Sequence, residues 1–375
     1  MIFDAGINIV TLLVILVTLV VLHELGHFVA ARMAGVRVHE FGIGFPPRAL
    51  ILRRGKETVY TLNWLPIGGF VRLEGEDGDS EDPRSFVRQP LRTRLLILLA
   101  GVAMNFLLAW AIFSFIAAAG DPTYAVRGVS VEPGSPAAVA GLIGGKPTGE
   151  VTEDGTPIHD LSGDLILAMD GQRFPVFADP TADDAPVRYL RSQLGETVIL
   201  TVRHPDGTVT QVPATLRTQA DLDAGQQGAL GIRLALSFEE MHRGPVDAIV
   251  TGFQRTIDAS TLILRGLQDL VQNLTNPPVQ GPVGMVDTVG IVRTTLPPVF
   301  LLWLVGVLSA NLAVVNALPL PPLDGGRALM AVLKRFFGTR ITPMLEQRVY
   351  LLGWLGLMAF LVWITMFDIR RLGGG

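Results

Sequence analysis

The chain contains no cysteine, so it can form no disulfide and offers no thiolate to a metal. Charge is also scarce: Asp, Glu, Lys and Arg together make up 17% of the 375 residues, against roughly a quarter in ordinary soluble proteins. A formal net charge of −4 leaves no basic surplus of the kind that grips a phosphate backbone, so no nucleic-acid partner is expected. No basic residue precedes Arg32, and Asp4 stands where a cleavable export signal would carry positive charge. The first apolar stretch is therefore expected to stay in place as an anchor.

Hydrophobic residues take up 49% of the chain. Four runs, 7–31, 95–119, 299–318 and 350–366, are apolar and long enough to cross about 30 Å of hydrocarbon, the last near the short limit. Arg32, Arg37, Arg48, Arg53, Arg54 and Lys56 follow the first run, Arg92 and Arg94 precede the second, and Arg327, Lys334, Arg335, Arg340 and Arg348 separate the third from the fourth. Basic residues collect on the cytoplasmic side. That bias places 33–94 and 327–349 inside and both chain ends outside, with Arg370 and Arg371 running against it beside Asp368.

Near the end of the first run the pattern is broken by His23-Glu24-Leu25-Gly26-His27. Histidines four apart share one helix face and can bind one Zn²⁺, while the neighbouring glutamate leaves the helix in another direction and serves as general base toward water. Ionisable groups inside a bilayer are unfavourable unless paired or metal-bound, so three together mark a functional site. A soluble helix with two merely hydrogen-bonded histidines would show a polar face, and 7–22 offers only Asn8, Thr11 and Thr18.

Between the spans, 36–73 is rich in glycine, proline and β-formers and predicts short strands joined by tight turns, dipping toward the membrane where they can line the metal site. The alternative is a small cytoplasmic β-subdomain. The acidic stretch 74–82 reads as a solvated turn. Strand-like runs over 126–217, with hairpin signals at Asp170-Gly171 and Asp206-Gly207, predict a compact β-domain. Helical spacing over 245–273 predicts an amphipathic helix or helix pair on the outer membrane surface, or ordinary packing.

Asn316-Ala317-Leu318-Pro319-Leu320-Pro321-Pro322-Leu323-Asp324-Gly325 resembles the NxxPxPxLDG motif of the site-2 proteases, the intramembrane zinc metalloproteases, in their bacterial regulator-of-sigma-E protease form. Ala100-Gly101-Val102-Ala103-Met104-Asn105 is similar to that family's second-span AGPxxN motif, with Val102 in place of the proline. Pro66-Ile67-Gly68-Gly69 resembles the loop beside the family's membrane-re-entrant hairpin. Ser135-Pro136-Ala137-Ala138 and Gly163-Asp164-Leu165-Ile166 are similar to PDZ-domain blocks, here separated by an insertion at 143–162.

The resemblance implies a polytopic α-helical membrane protein with four transmembrane helices, a membrane-associated β-hairpin region and an inserted extracytoplasmic PDZ-like β-domain. The expected organisation is a first transmembrane helix with HExxH at 1–35, a cytoplasmic or re-entrant β region at 36–94, and a second transmembrane helix at 95–119. The PDZ-like domain follows at 120–237 and extracytoplasmic amphipathic helices at 238–298. A third transmembrane helix with the LDG motif at 299–326, a cytoplasmic loop at 327–349 and a fourth helix with the C-terminus at 350–375 complete it.

The implied cofactor is Zn²⁺, held by His23, His27 and Asp324, with Glu24 catalytic; Pro319, Pro321 and Pro322 break the helix and favour a loop that returns Asp324 to the metal. Asn105 and Asn316 are amides in or at the ends of spans, where they can bind substrate backbone; for Asn105 an interhelix hydrogen bond is an equal alternative. The implied activity is regulated intramembrane proteolysis of single-span membrane proteins, anti-sigma factors and remnant signal peptides among them. Its partners are the transmembrane segments of those substrates and the lipid bilayer of the bacterial inner membrane, after an upstream site-1-type protease has acted. Two other classes stay open: a non-proteolytic zinc-binding PDZ scaffold, and a membrane-tethered zincin acting on soluble peptides. The intact glutamate weighs against the first and the motif's place within a span against the second.

The absence of cysteine makes the orientation testable. With single cysteines placed at Ser80 or Ser192, an impermeant thiol reagent on intact cells should label position 192 and spare position 80. Labelling at position 80 would reverse the assignment.

Overall fold

A computed structural model describes residues 2–76, 80–151, 157–177, 185–226, 228–275, 277 and 279–372. In chain order, α1 (Ile2–Met33) is followed by β1 (Val38–Arg54), β2 (Val59–Leu73) and α2 (Leu91–Ala119). Then come β3 (Asp121–Val131), α3 (Pro136–Val139), β4 (Pro147–Val151), β5 (Pro157–His159), β6 (Leu165–Met169) and β7 (Phe174–Pro175). These lead to α4 (Ala185–Ser192), β8 (Thr197–Arg203), β9 (Val209–Thr215), α5 (Gln219–Asp223) and β10 (Ile232–Met241). The chain ends in helices: α6 (Pro245–Gln272), α7 (Pro282–Thr295), α8 (Pro298–Ala317), α9 (Asp324–Phe337) and α10 (Pro343–Leu372). Contacts divide it into two units, Met1–Ile116 with Val246–Gly375, and Ala117–Pro245.

In the first unit, α1, α2, α8 and α10 are each long and apolar enough to cross a membrane. The fourth is longer than the expected 350–366, starting at Pro343, because Glu346 in its first turn is matched by Lys334 and Tyr350. An apolar count stops at such charges although the helix does not. The expected loop at 327–349 is likewise mostly helical: α9 buries Ala328, Met330 and Ala331 on one face and turns Lys334 and Arg335 to its last turn, a stripe too short to read between prolines and arginines.

The region 36–73 is two long bent strands rather than a string of short ones. Phe41 of β1 faces both Val71 and Tyr60 of β2, and Gly42 faces both Phe70 and Thr61, while Ile51 near the end of β1 also faces Thr61. The start of β1 thus lies between the two ends of β2, and its far end folds back over the start of β2. Gly44 (φ 77°) and Gly68 (φ 80°) supply the left-handed backbone that lets each strand bend without ending. Inside the bend, buried Glu40 accepts hydrogen bonds from Arg48 and Thr61, and the Arg48 guanidinium holds its carboxyl below the usual carboxylate range.

The sheet is fixed to α1 through Phe28, whose ring centroid lies 5.5 Å from that of Phe41 and 6.1 Å from that of Tyr60. Beneath it, Ala30, Ala31, Val36, Val38, Leu73, Phe86, Ile97, Leu98 and Ala328 form one buried cluster. At roughly 25 cal/mol per Å² of apolar surface removed from water, such a cluster ties the end of α1, the sheet, α2 and α9 into one body.

The helical stretch at 245–273 is a single helix, α6, and a second helix, α7, follows it. Gln280-Gly281-Pro282-Val283-Gly284 leads into α7, with Gly281 at its N-cap. Asp368 of α10, buried, accepts the N–H of Gly281 (3.1 Å) and of Gly284 (2.8 Å). At the other end of α7, Arg293 Nε donates to Asn8 Oδ1 of α1 at 3.0 Å.

The second unit is built on an antiparallel sheet of order β10-β3-β6-β8-β9, with β7 paired to β3. Asp170 (φ 49°) and Gly171 (φ 75°) turn the chain after β6, and Asp206-Gly207 joins β8 to β9, where Arg203 faces Val209. The strand β10 pairs with β3 from Ile232 opposite Val131 to Met241 opposite Asp121, so it passes the expected domain boundary at 237. Its acidic end stays in the sheet because Glu239 meets Arg203. Within the insertion 143–162, β4 and β5 pair; Asp154-Gly155 lies outside the described residues, as do 77–79 of the acidic turn and 373–375 of the last segment.

Candidate metal centre

One helical turn separates His23 from His27 on α1, and their rings stand edge to face with centroids 4.8 Å apart. Each ring is oriented from behind. His27 Nδ1 lies 2.7 Å from the Ile97 carbonyl of α2; only a donating N–H fits there, which leaves the Nε2 lone pair facing inward. His23 Nδ1 lies 3.3 Å from Nδ2 of Asn105, whose Oδ1 is buried with no partner. Turning that amide over places Oδ1, an acceptor, on His23 Nδ1–H. His23 Nε2 is then free to face inward as well.

Asp324 completes the cluster. Its Oδ2 is 2.8 Å from His23 Nε2 and 3.2 Å from His27 Nε2, and the two Nε2 atoms are 3.2 Å apart. One ligand atom from each residue lies within 4.8 Å of the others, and both histidines are buried. Two imidazole nitrogens and a carboxylate oxygen converging in this way fit a cation between them, and this donor set is one that zinc takes in catalytic sites with three protein ligands.

Backbone packing puts the three residues there. A Cβ added at Gly101 of α2 would lie 2.4 Å from His27 Nε2 and 2.7 Å from His23 Nε2, so the α2 backbone itself floors the site. A Cβ at Gly26 would lie 2.4 Å from the Ala100 carbonyl oxygen, which brings α1 and α2 together at the same level. On the other side the chain leaves α8 at Ala317 and re-enters helix at Asp324. A Cβ at Gly325 would lie 2.2 Å from the Ala317 carbonyl oxygen, and one at Gly326 2.5 Å from that of Leu320, so only glycines let α9 press against the turn that carries Asp324.

A cavity of about 480 Å³ opens beside the cluster, lined by Glu24, His27 and Asp324 together with Gly69 to Leu73 of β2, Glu76 and Arg327. A Cβ at Gly69 would lie 3.6 Å from Glu24 Cγ, which sets the end of β2 directly against the glutamate. Arg327 Nη1 donates to Glu76 Oε1 at 2.6 Å across the cavity wall. Asn105 is fully buried against His23, its main-chain carbonyl accepting from Ser309 Oγ at 2.8 Å, and does not line this cavity. Asn316 is half-buried in the last turn of α8, also outside the lining.

Sequence reasoning missed Gly101, Gly26, Arg327 and Glu76. The available signal was the pair Ala100-Gly101 on an otherwise bulky span, since small residues on apolar helices mark close helix approach.

A family model described as peptidase family M50 matches residues 11–360. A provisionally named zinc metalloprotease of Clostridium perfringens is 31% identical over 354 residues, covering 94% of this chain and 95% of its own length. One from Nostoc is 30% identical over 379 residues, covering 95% of this chain and 94% of its own. One from Synechocystis is 28% identical over 376 residues, covering 96% and 93%.

Metal analysis of purified protein tests the centre. Gly101→Ala should lose zinc to about the same degree as His23→Ala, because the added methyl displaces both imidazoles, and Asp324→Ala should lose it as well. Full zinc in Gly101→Ala would remove the floor from the account, and full zinc in Asp324→Ala would remove that residue from the ligand set.

Proposed function

The chain belongs to peptidase family M50, and from that premise we propose that this zinc metalloprotease cuts single-span membrane proteins within or beside their apolar segment. The observation that carries the proposal is the position of the cluster on a helix long and apolar enough to cross a membrane. His27 lies six residues from the end of α1 at Met33, about 9 Å at 1.5 Å per residue, with the apolar run 7–22 on its other side.

In this reading His23 Nε2, His27 Nε2 and the Asp324 carboxylate hold the zinc. Zinc bound there supplies Lewis acidity, acidifying water and polarising a carbonyl. Glu24 faces the same cavity and takes the proton from water as the water oxygen bonds to the scissile carbonyl carbon. It then delivers that proton to the departing amide nitrogen as the C–N bond breaks. Ile97 and Asn105 hold the two imidazoles in the orientation this requires.

A peptide bond inside a helix is shielded by its own hydrogen bonds, so the substrate must first be extended. Residues 69–73 pair on one side with the start of β1 and line the cavity with the other part of their surface. They can receive an unwound segment by strand addition, which demands little of its side chains. Asn316, at the end of α8, is assigned to substrate backbone in the same step. The substrates proposed are anti-sigma factors and remnant signal peptides in the bacterial inner membrane, shortened beforehand by a site-1-type protease. The β-domain of the second unit is read as PDZ-like and extracytoplasmic.

Cleavage by full-length protein in detergent of a single-span substrate tests this directly. Wild type should release fragments whose new ends map within or next to the apolar segment, and Glu24→Gln should release none while retaining its zinc. Cleavage confined to soluble peptides would show a tethered peptidase instead.

A further inference from the structure

Next to the catalytic cavity lies a second one of about 430 Å³, which shares Glu76, Leu98 and Arg327 with it. Its remaining ionisable lining comes from Arg94 at the start of α2, Lys334 on α9, and Glu346 and Tyr350 on α10. Most of these groups satisfy one another. Arg327 is paired with Glu76 at 2.6 Å, and Lys334 with Glu346, whose other oxygen accepts from the Tyr350 hydroxyl at 3.1 Å.

Arg94 is the exception. Among the described residues no carboxylate pairs with it, its Nε is buried with no hydrogen-bond partner, and its guanidinium carbon stands 5.3 Å above the Phe86 ring. The cavity therefore carries one positive charge more than its own carboxylates neutralise, at the first turn of α2. A planar cation with unfilled donors, fixed on an aromatic face, is suited to a carboxylate.

We propose that this cavity is a substrate subsite in which Arg94 receives an acidic side chain of the polypeptide being cut. The shared wall of Glu76, Leu98 and Arg327 favours that ligand over a lipid headgroup, because it makes the Arg94 cavity the neighbour of the cavity in which a polypeptide would be cut. The proposal rests on the reading of the protein as a protease of membrane segments and adds a side-chain preference to it. Strand addition alone gives no such preference, since it engages only main chain.

The test uses full-length protein in detergent and single-span peptides in which one glutamate is walked through the residues flanking the scissile bond, each matched by its glutamine form. At one position glutamate should raise kcat/KM about tenfold over glutamine, mainly through KM, a factor equal to about 1.4 kcal/mol. Arg94→Gln should bring that ratio to one, and Arg94→Lys should keep part of it. The same peptides bound to Glu24→Gln, followed by fluorescence anisotropy, should show the ratio in Kd without turnover. A Kd preference without any cleavage by wild type would count against the protease reading and leave the subsite standing. Equal Kd for glutamate and glutamine peptides at every position would overturn the subsite, and that comparison needs no variant at Arg94. A preference that survives Arg94→Gln would also overturn it. With the same peptides and protein reconstituted in vesicles of anionic lipid, a loss of activity in Arg94→Gln that is equal for both peptides and absent in detergent would also overturn it and assign Arg94 to a headgroup.

Discussion

Two imidazole nitrogens and a carboxylate oxygen lie within 2.8–3.2 Å of one another, away from the separate solvation each would otherwise have, and in the proposed reading a shared cation makes the arrangement favourable. Meeting that condition shapes the surrounding fold. The α2 backbone must pass so close that position 101 tolerates no side chain, and the turn after α8 must fold so tightly that positions 325 and 326 tolerate none either. The ring nitrogens facing away must also be engaged, which Ile97 and Asn105 do. In the proposed reading, loss of any of these contacts acts on the metal even where the residue offers it no atom.

Most charges around the site occur in paired sets: Glu40 with Arg48 and Arg72, Arg327 with Glu76, Lys334 with Glu346. The proposed re-entrant position of the β1–β2 sheet fits a physical rule: irregular backbone near hydrocarbon persists where protein covers it or where it lines a cavity. Here one end of β2 does line the cavity, directly against Glu24. Arg94 departs from these paired sets, and that departure gives the neighbouring cavity its chemical meaning.

Much of this was legible in the sequence where a local period carried it. The i, i+4 spacing of His23 and His27 fixes a shared helix face without tertiary information, and the four spans follow from apolar length. Asp324 was legible because prolines and a specific motif surround it, although no local rule states its distance from α1. The curl of β1 and β2 was not legible, because double pairing of one strand depends on which glycines bend rather than break it. The helix α9 and the last residues of β10 were hidden by charges that only their partners, Glu346 and Arg203, make compatible with those elements. Gly101 was hidden because sequence patterns report side chains and its role is the space it leaves. The second cavity draws on α2, α9, α10 and the segment after β2, which no spacing rule brings together.

X-ray absorption at the zinc edge of the purified full-length protein tests the central claim most directly. The account predicts a first shell of nitrogen and oxygen only, at about 2.0–2.2 Å, with the scattering pattern of two imidazoles. In Asp324→Ala protein reloaded with zinc, one protein oxygen should be lost with both imidazoles retained, and Glu24→Gln should leave the shell as in wild type. A third imidazole in wild type, or a first shell altered by Glu24→Gln, would contradict it.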